Sequence, residues 1–224
     1  AHRRHDLSSL KVISYGTEVM PESTLRRLHE DFPDVDLRQS YGLSELGIMR
    51  ARSRSSDSLW VKVGGEDYET RVVNGQFQIK ARSSMLGYLN APSPFTEDGW
   101  FDTQDEVDVD GEWIRFKGRK SNIINVGGEK VYPEEVESVV LEVDNVVDAT
   151  VSKEAHPFTG NIVVVEVQVR EPEDAKGLAK RIRAHCFSKL PPFKVPVKVR
   201  VAEHGRVSER FKKARSERQP VRRE

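Results

Sequence analysis

Between residues 60 and 118 glycine turns cut the chain into short pieces, and this limits the folds open to it. Segments such as TRVVNGQFQIKA alternate apolar and polar residues, the two-residue period of a strand with one buried face. Asn74-Gly75, Asp98-Gly99 and Asp110-Gly111 punctuate these segments. Asn, Asp and Gly tolerate the positive φ of tight turns, so such dipeptides predict antiparallel neighbours joined by hairpins. The expectation for 60–118 is a small, mostly antiparallel β unit. The preceding RSRSSDS reads as an exposed loop.

The flanking segments have a different rhythm. LKVISYG is an apolar strand ending at Gly16, and Pro21 opens PESTLRRLHEDF, with Leu25, Leu28 and Phe32 on one helical stripe. VDLRQSYG follows as a short strand running into a glycine turn, so 1–59 is expected to be an α/β piece. Beyond Gly118, Pro133 opens PEEVESVVLEV, with Val136, Val139, Val140 and Val143 on one face. Glu134 and Glu135 favour the positive end of that helix. VVDATVS and NIVVVEVQVR read as strands, the second apolar enough to be central. A helix over about 173–189 stops before Pro191-Pro192, and VKVRVAE is a final strand. The fold class is α+β: 1–119, divided into 1–59 and 60–118, then a compact α+β domain over 120–224.

Composition excludes several function classes. With 36 basic and 36 acidic residues among 224, net charge gives no footprint for nucleic acid or a membrane surface. Only the 206–223 end is basic, and a solvated tail is its ordinary meaning. Aliphatic runs recur, which argues against disorder, and no run of about 18 apolar residues suggests a membrane span. Cys186 stands alone, which suits a reducing, cytoplasmic compartment, and its apolar neighbours predict a buried thiol. No signal peptide is read, and the opening Ala1 suggests a cleaved or truncated start.

Two constellations carry chemistry. YGLSE, residues 41–45, supplies an aromatic face, a glycine turn, a hydroxyl and a carboxylate, the parts from which a nucleotide site is made. By itself it equally suits an ordinary turn after a strand. Asp105 precedes Arg119 by 14 residues. A carboxylate and a guanidinium flanking a cleft can hold both hydroxyls of a ribose, one accepting and one donating; an exposed ion pair in a hairpin is the plainer reading. Gly127-Gly128 allows close backbone approach to a ligand or makes a tight turn.

Taken in order, these segments resemble the acyl-adenylate-forming superfamily: acyl- and aryl-CoA synthetases, luciferase and the adenylation domains of peptide synthetases. SYGTE at 14–18 resembles the adenine-side turn, and YGLSE the YG-x-[ST]-E motif. GQFQIKARSSMLGYLN resembles the GE-L-x-I-x-G…GY-x-N stretch, and GWFDTQD resembles W-[FY]-x-T-G-D. GRKSNIINVGGEKVYPEEVE is similar to the hinge and the loop beyond it. The resemblance implies that 1–119 is the end of a large N-terminal domain and 120–224 a mobile C-terminal domain. It implies that Gly16, Thr17 and Glu18 line the adenine site and that Tyr41 and Gly42 border adenine, with Tyr41 stacking on it. Ser44 contacts the α-phosphate, Glu45 holds Mg2+, and Asp105 and Arg119 bind the ribose. Gly127 and Gly128 line a thiol channel. Ser121 stands at the pivot, where Asp or Lys is usual, and Gln104 replaces the glycine of T-G-D.

The family also uses a lysine in the context P-x-T-x-x-G-K-[IV]-x-R, where it offsets charge that grows as a carboxylate attacks the α-phosphate. Here the region reads VAEHGRVSERFKKARSE and lacks the Gly-Lys pair. Lys212, followed by Arg215, is the preferred counterpart, with Lys213 and Arg206 as alternatives. The family's Ser/Thr/Gly-rich phosphate loop does not occur in these 224 residues.

The expected function is therefore part of an ATP-dependent acid–thiol ligase. It uses ATP/AMP, Mg2+ and CoA or a carrier-protein phosphopantetheine, and the chain is expected to be inactive alone. INVGGEKVYPEEVE is closer to CoA ligases than to amino-acid adenylation domains. The other reading is a non-catalytic module that binds nucleotide or carrier protein.

Overall fold

A computed structural model describes residues 5–202. The chain divides into two compact units, Ala1–Arg119 and Lys120–Glu224.

The first unit begins with a right-sized crossover. Strand β1 (Val12–Tyr15) leads through helix α1 (Glu22–Asp31) to β2 (Asp36–Gln39), which lies parallel to β1 in the register Val12↔Asp36 to Tyr15↔Gln39. Pro21 caps α1 with extended backbone and Glu22 stands in its first turn. The helix buries Leu25 fully against Leu37 and Val35, with Ile13, Leu28 and Phe32 packed around them. This is the apolar stripe read from PESTLRRLHEDF.

The rest of the unit is a seven-stranded antiparallel sheet in the order β3-β4-β5-β9-β8-β7-β6. Its strands are β3 (Tyr41–Leu43), β4 (Gly47–Ser53), β5 (Val61–Gly64), β6 (Tyr68–Val73), β7 (Gln76–Ala81), β8 (Phe101–Asp110) and β9 (Trp113–Arg119). The sheet starts at Tyr41 rather than at 60, which corrects the sequence expectation. Gly42 lies inside β3, opposite Ile48, and is not a turn. A Cβ there would lie 3.0 Å from both Gly47 O and Ile48 Cα, so glycine permits the close pairing. In GIMRARS Met49 is buried and Ala51 and Ser53 are half-buried, but Ile48 beside Met49 is 83% exposed and Ser53 is polar, so side-chain type does not announce the alternation of β4. The hairpin chemistry holds elsewhere: Asn74 (φ 52°) and Gly75 (φ 78°) join β6 to β7, and Gly111 (φ 61°) lies between β8 and β9. Leu46, Met49, Val61, Phe77, Ile79, Phe101 and Phe116 form the core against this sheet.

The second unit opens with a short turn at Lys120–Asn122. The hairpin β10 (Ile124–Val126) and β11 (Glu129–Val131) precedes α2 (Pro133–Val140). A three-stranded sheet follows in the order β12-β13-β14, made of Val146–His156, Gly160–Val169 and Lys198–Val201. β13 is central, antiparallel to β12 and parallel to β14. Val163, Val164 and Val165 are all buried, so both faces of β13 are covered, as its unbroken apolar run implied. Helix α3 (Ala175–Lys189) starts at Asp174, whose carboxylate accepts from the Lys176 and Gly177 amides. Leu178, Ile182 and Cys186 bury the inner face of α3. Burial, with the nearby Glu142 charge, pushes the Cys186 thiol up to about 11, so it is a packing residue. Helix α2 stops at Val140, before Val143, yet Val143 still reaches the core from the following turn. Among the described residues no helix is long and apolar enough to cross a membrane.

Candidate nucleotide site

In the first unit side-chain contacts link Tyr41 to Asp105, Asp105 to Arg119, and Ser44 to Glu45. Ser40 donates its amide to Tyr15 O at 2.7 Å, which ties the end of β1 to the residue before Tyr41. A Cβ on Gly16 would fall 2.5 Å from Ser40 Oγ and 2.8 Å from Ser40 O, so only glycine fits there. Thr17 is left-handed at φ 72°, and the exposed Thr17-Glu18 turn stands beside the start of β3. SYGTE and YGLSE, separate in sequence, are thus neighbours in space.

Tyr41 is anchored on two sides. Its ring stacks on Phe116 at 4.5 Å with an interplanar angle of 10°, and it meets Phe77 edge-on at 5.7 Å. Its hydroxyl donates to Asp105 Oδ2 at 2.6 Å. Burial first, then the adjacent Asp105 charge, push the phenol well above its ordinary value, so it stays a donor. The resemblance brought Tyr41 forward as a stacking surface for adenine; the ring also has this structural partner in Phe116.

Asp105 is placed by an irregularity in β8. Gln76 pairs with Glu106 and Gln78 with Asp102, so three residues of β8 face a single residue of β7. Gln104 turns left-handed at φ 62° to make this bulge, and its amide donates to Asp102 Oδ1. Thr103 Oγ1 donates to Phe77 O at 2.7 Å and accepts from the Asp105 amide at 3.1 Å. The bulge turns the Asp105 carboxylate toward Tyr41 and Arg119. Arg119 Nε lies 3.4 Å from Asp105 Oδ1, with the carboxylate mostly buried and the guanidinium half exposed. Burial raises the Asp105 pKa; the Tyr41 hydrogen bond and the Arg119 charge oppose that rise.

Glu45 completes the cluster. Oε1 accepts from the Tyr88 hydroxyl at 2.7 Å and Oε2 from Ser44 Oγ at 3.0 Å. The Tyr88 hydrogen bond is the main cause holding this carboxyl below its usual range, and the Arg119 charge adds to it. Glu45 is therefore ionised at neutral pH. Each of its oxygens retains a further lone pair after accepting one bond. Among the described residues no three His, Cys, Asp or Glu side chains gather as a metal cage. A single oriented carboxylate suits Mg2+, which keeps most of its waters and takes its other ligands from phosphates.

Tyr88 is the residue that the sequence reading did not single out. It stands in the GYLN segment quoted for the resemblance, and that segment was its only signal. Phe116 was likewise hidden, because nothing local links it to Tyr41.

In the second unit, Gly127 (φ 61°) and Gly128 (φ 95°) form the two-residue turn between β10 and β11. The Gly128 amide donates to Asn125 Oδ1, and the Gly127 amide to Thr159 O. Open space surrounds both glycines. Ser121 is exposed in the opening turn, within hydrogen-bond range of Asn122 Oδ1. Arg206, Lys212, Lys213 and Arg215 lie outside the described residues.

The chain is thus a mixed α+β protein whose aromatic, acidic and guanidinium side chains Tyr41, Asp105 and Arg119 cluster on one sheet. Residues 135–212 match the family model of the AMP-binding enzyme C-terminal domain. The chain is 30% identical over 182 residues to an indoleacetate–CoA ligase of Aromatoleum aromaticum, covering 72% of this chain and 35% of that protein. It is 30% identical over 181 residues to a 2-succinylbenzoate–CoA ligase of Listeria innocua, covering 76% and 38%. Among solved structures, the anthranilate CoA ligase AuaEII in complex with anthranoyl-AMP superposes with a TM-score of 0.78 at 21% identity, covering 93% of this chain and 44% of that one. Residues 135–212 thus carry the AMP-binding enzyme C-terminal domain, and the chain as a whole is similar to these CoA ligases. It spans a little over a third of the length of these two curated relatives.

Proposed function

We propose that this chain forms one wall of the nucleotide site and the mobile C-terminal domain of an ATP-dependent carboxylic acid ligase. The observation that carries the reading is the convergence of Tyr41, Asp105 and Arg119, joined by hydrogen bond and ion pair, beside the ionised Glu45. Three motifs far apart in sequence build one polar cluster, and the same motifs carry the resemblance.

In this reading a carboxylate oxygen attacks the α-phosphorus of ATP, and the bond to pyrophosphate breaks. The product is an acyl-adenylate. A thiol of CoA or of a phosphopantetheine arm then attacks the acyl carbon, forming a thioester and releasing AMP. Asp105 accepts from a ribose hydroxyl and Arg119 donates to the other, which fixes the nucleotide for in-line attack. Tyr41 and the Gly16–Glu18 turn border adenine. Ser44 donates to an α-phosphate oxygen. Mg2+, when bound at Glu45, offsets the negative charge of the phosphates. Lys212 neutralises the charge that develops on the α-phosphate. In the second step the open Gly127-Gly128 turn lines the channel of the attacking thiol. Without a phosphate loop in its 224 residues, the chain alone does not adenylate.

Acid-dependent ATP–pyrophosphate exchange by the intact protein tests the reading. Exchange is expected with at least one member of a panel of aryl and acyl acids, and Lys212→Ala is expected to lower it by at least about a hundredfold. A lack of exchange across the panel sinks the ligase reading. A normal rate in Lys212→Ala moves the role to Lys213 or Arg206. The departure from Gly-Lys in VAEHGRVSERFKKARSE favours a second reading, a non-catalytic nucleotide- or carrier-binding module; nucleotide binding without exchange is its signature.

A further inference from the structure

The loop after β7 is strapped to the Ser44–Leu46 turn by three bonds. Ser83 Oγ donates to Leu46 O at 2.8 Å, the Met85 amide donates to Glu45 O at 2.8 Å, and the Tyr88 hydroxyl donates to Glu45 Oε1 at 2.7 Å. The first two fix the backbone at Glu45. The third fixes the carboxylate itself, from a residue 43 positions away. Tyr88 remains 45% exposed, so its ring contributes little apolar burial, and the hydroxyl contact is its main engagement with this turn. Leu86 and Leu89 on either side are fully exposed, which leaves the Tyr88 hydrogen bond as the tether of the loop tip.

We infer that Tyr88 is a positioning residue for Glu45, orienting its carboxylate so that Oε2 and the remaining lone pairs face a nucleotide-bound divalent cation. The inference rests on the reading in which Glu45 holds Mg2+. A carboxylate with free rotation about its last bond spends part of its time pointing away from a metal, and an outer hydrogen-bond donor removes that freedom. Ser44 restrains Oε2 from one side only; the Tyr88 bond to Oε1 sets the carboxylate plane.

The test uses the intact protein carrying this chain and two readouts. Mn2+ binding in the presence of ATP is followed by water-proton relaxation, and ATP–pyrophosphate exchange is measured across Mg2+ concentration. Tyr88→Phe keeps the ring and removes the donor. It is expected to weaken Mn2+ binding about tenfold. The Mg2+ concentration for half-maximal exchange should rise by a similar factor, with a smaller fall in maximal rate. Tyr88→Leu should weaken Mn2+ binding at least as much. Melting temperatures of both variants, read in parallel, separate a folding defect from a positioning one. Mn2+ affinity unchanged in Tyr88→Phe, while Glu45→Gln loses it, overturns the role of Tyr88 alone. Mn2+ affinity unchanged in Glu45→Gln overturns the metal reading of Glu45 itself.

Discussion

Asp105 and Arg119 stand directly opposite each other across the β8–β9 pair, and the contact is unequal: the carboxylate is mostly buried and the guanidinium half exposed. The Asp110–Trp113 hairpin folds the intervening residues back, and a one-residue irregularity between Glu106 and Val107 shifts the pairing so that Asp105 meets Arg119. An exposed partner recovers little of what a buried carboxylate loses on leaving water. The Asp105 pKa accordingly lies above its ordinary 3.8 despite two favourable partners.

That asymmetry has a consequence for stability. The folded state prefers protonated Asp105, so its contribution is favourable below pH 3.8 and is lost as pH rises through the raised folded value. At neutral pH the ionised group opposes folding. Asp105→Asn removes the charge, keeps an acceptor for Tyr41, and leaves Arg119 in water. It is expected to raise the melting temperature at pH 7 by a few degrees, about 1 kcal/mol. The gain should shrink as pH falls toward 3.8, followed by thermal unfolding across pH. A lower melting temperature at pH 7 contradicts the account.

Gln104 holds a left-handed backbone at φ 62° where the related motif has glycine. Gln104→Gly releases that strain and should leave stability unchanged or raise it by up to about 1 kcal/mol, because the unfolded-chain entropy of glycine offsets part of the gain. Gln104→Val, β-branched in the same conformation, should cost about 1–2 kcal/mol. Urea unfolding midpoints with equal slopes decide between these outcomes.

The turn at Gly127 and Gly128 makes a sharper demand, because both residues have positive φ. Gly127→Ala and Gly128→Ala are each expected to destabilise the second unit by about 1–2 kcal/mol. Gly127→Asn should cost less, since Asn tolerates the left-handed region. Equal losses for Ala and Asn at Gly127 would show that something other than backbone conformation governs the turn.

Glu137 on α2 is 2% exposed, and its Oε1 accepts from the Val151 amide at 2.8 Å, joining the helix to β12. Glu137→Leu strands that amide and is expected to destabilise by about 2–3 kcal/mol. Glu137→Gln keeps an acceptor and should lose less than half as much. Denaturant unfolding of both variants gives the comparison, and parity between them refutes the anchoring role.

What the sequence by itself determined was local. The stripe Leu25, Leu28 and Phe32 specified α1, the Asn74-Gly75 pair specified a hairpin, and the apolar run of NIVVVEVQVR specified a strand covered on both faces. Each follows from side chains within a few residues of one another, the range over which a helical or strand period acts. The motif order likewise pointed to Tyr41, Glu45, Asp105 and Arg119.

The tertiary structure alone decided how those residues are held. Tyr41 stacks on Phe116 and donates to Asp105, 64 positions on. Tyr88 grips Glu45 from 43 positions away, and the bulge at Gln104 aims Asp105. β4 was missed because pairing with β3 and β5 leaves apolar Ile48 on the exposed face and turns Ala51 and Ser53 inward, an alternation that residue type does not reveal. Cross-strand register and side-chain contact are set by packing over the whole sheet, and no local pattern encodes them.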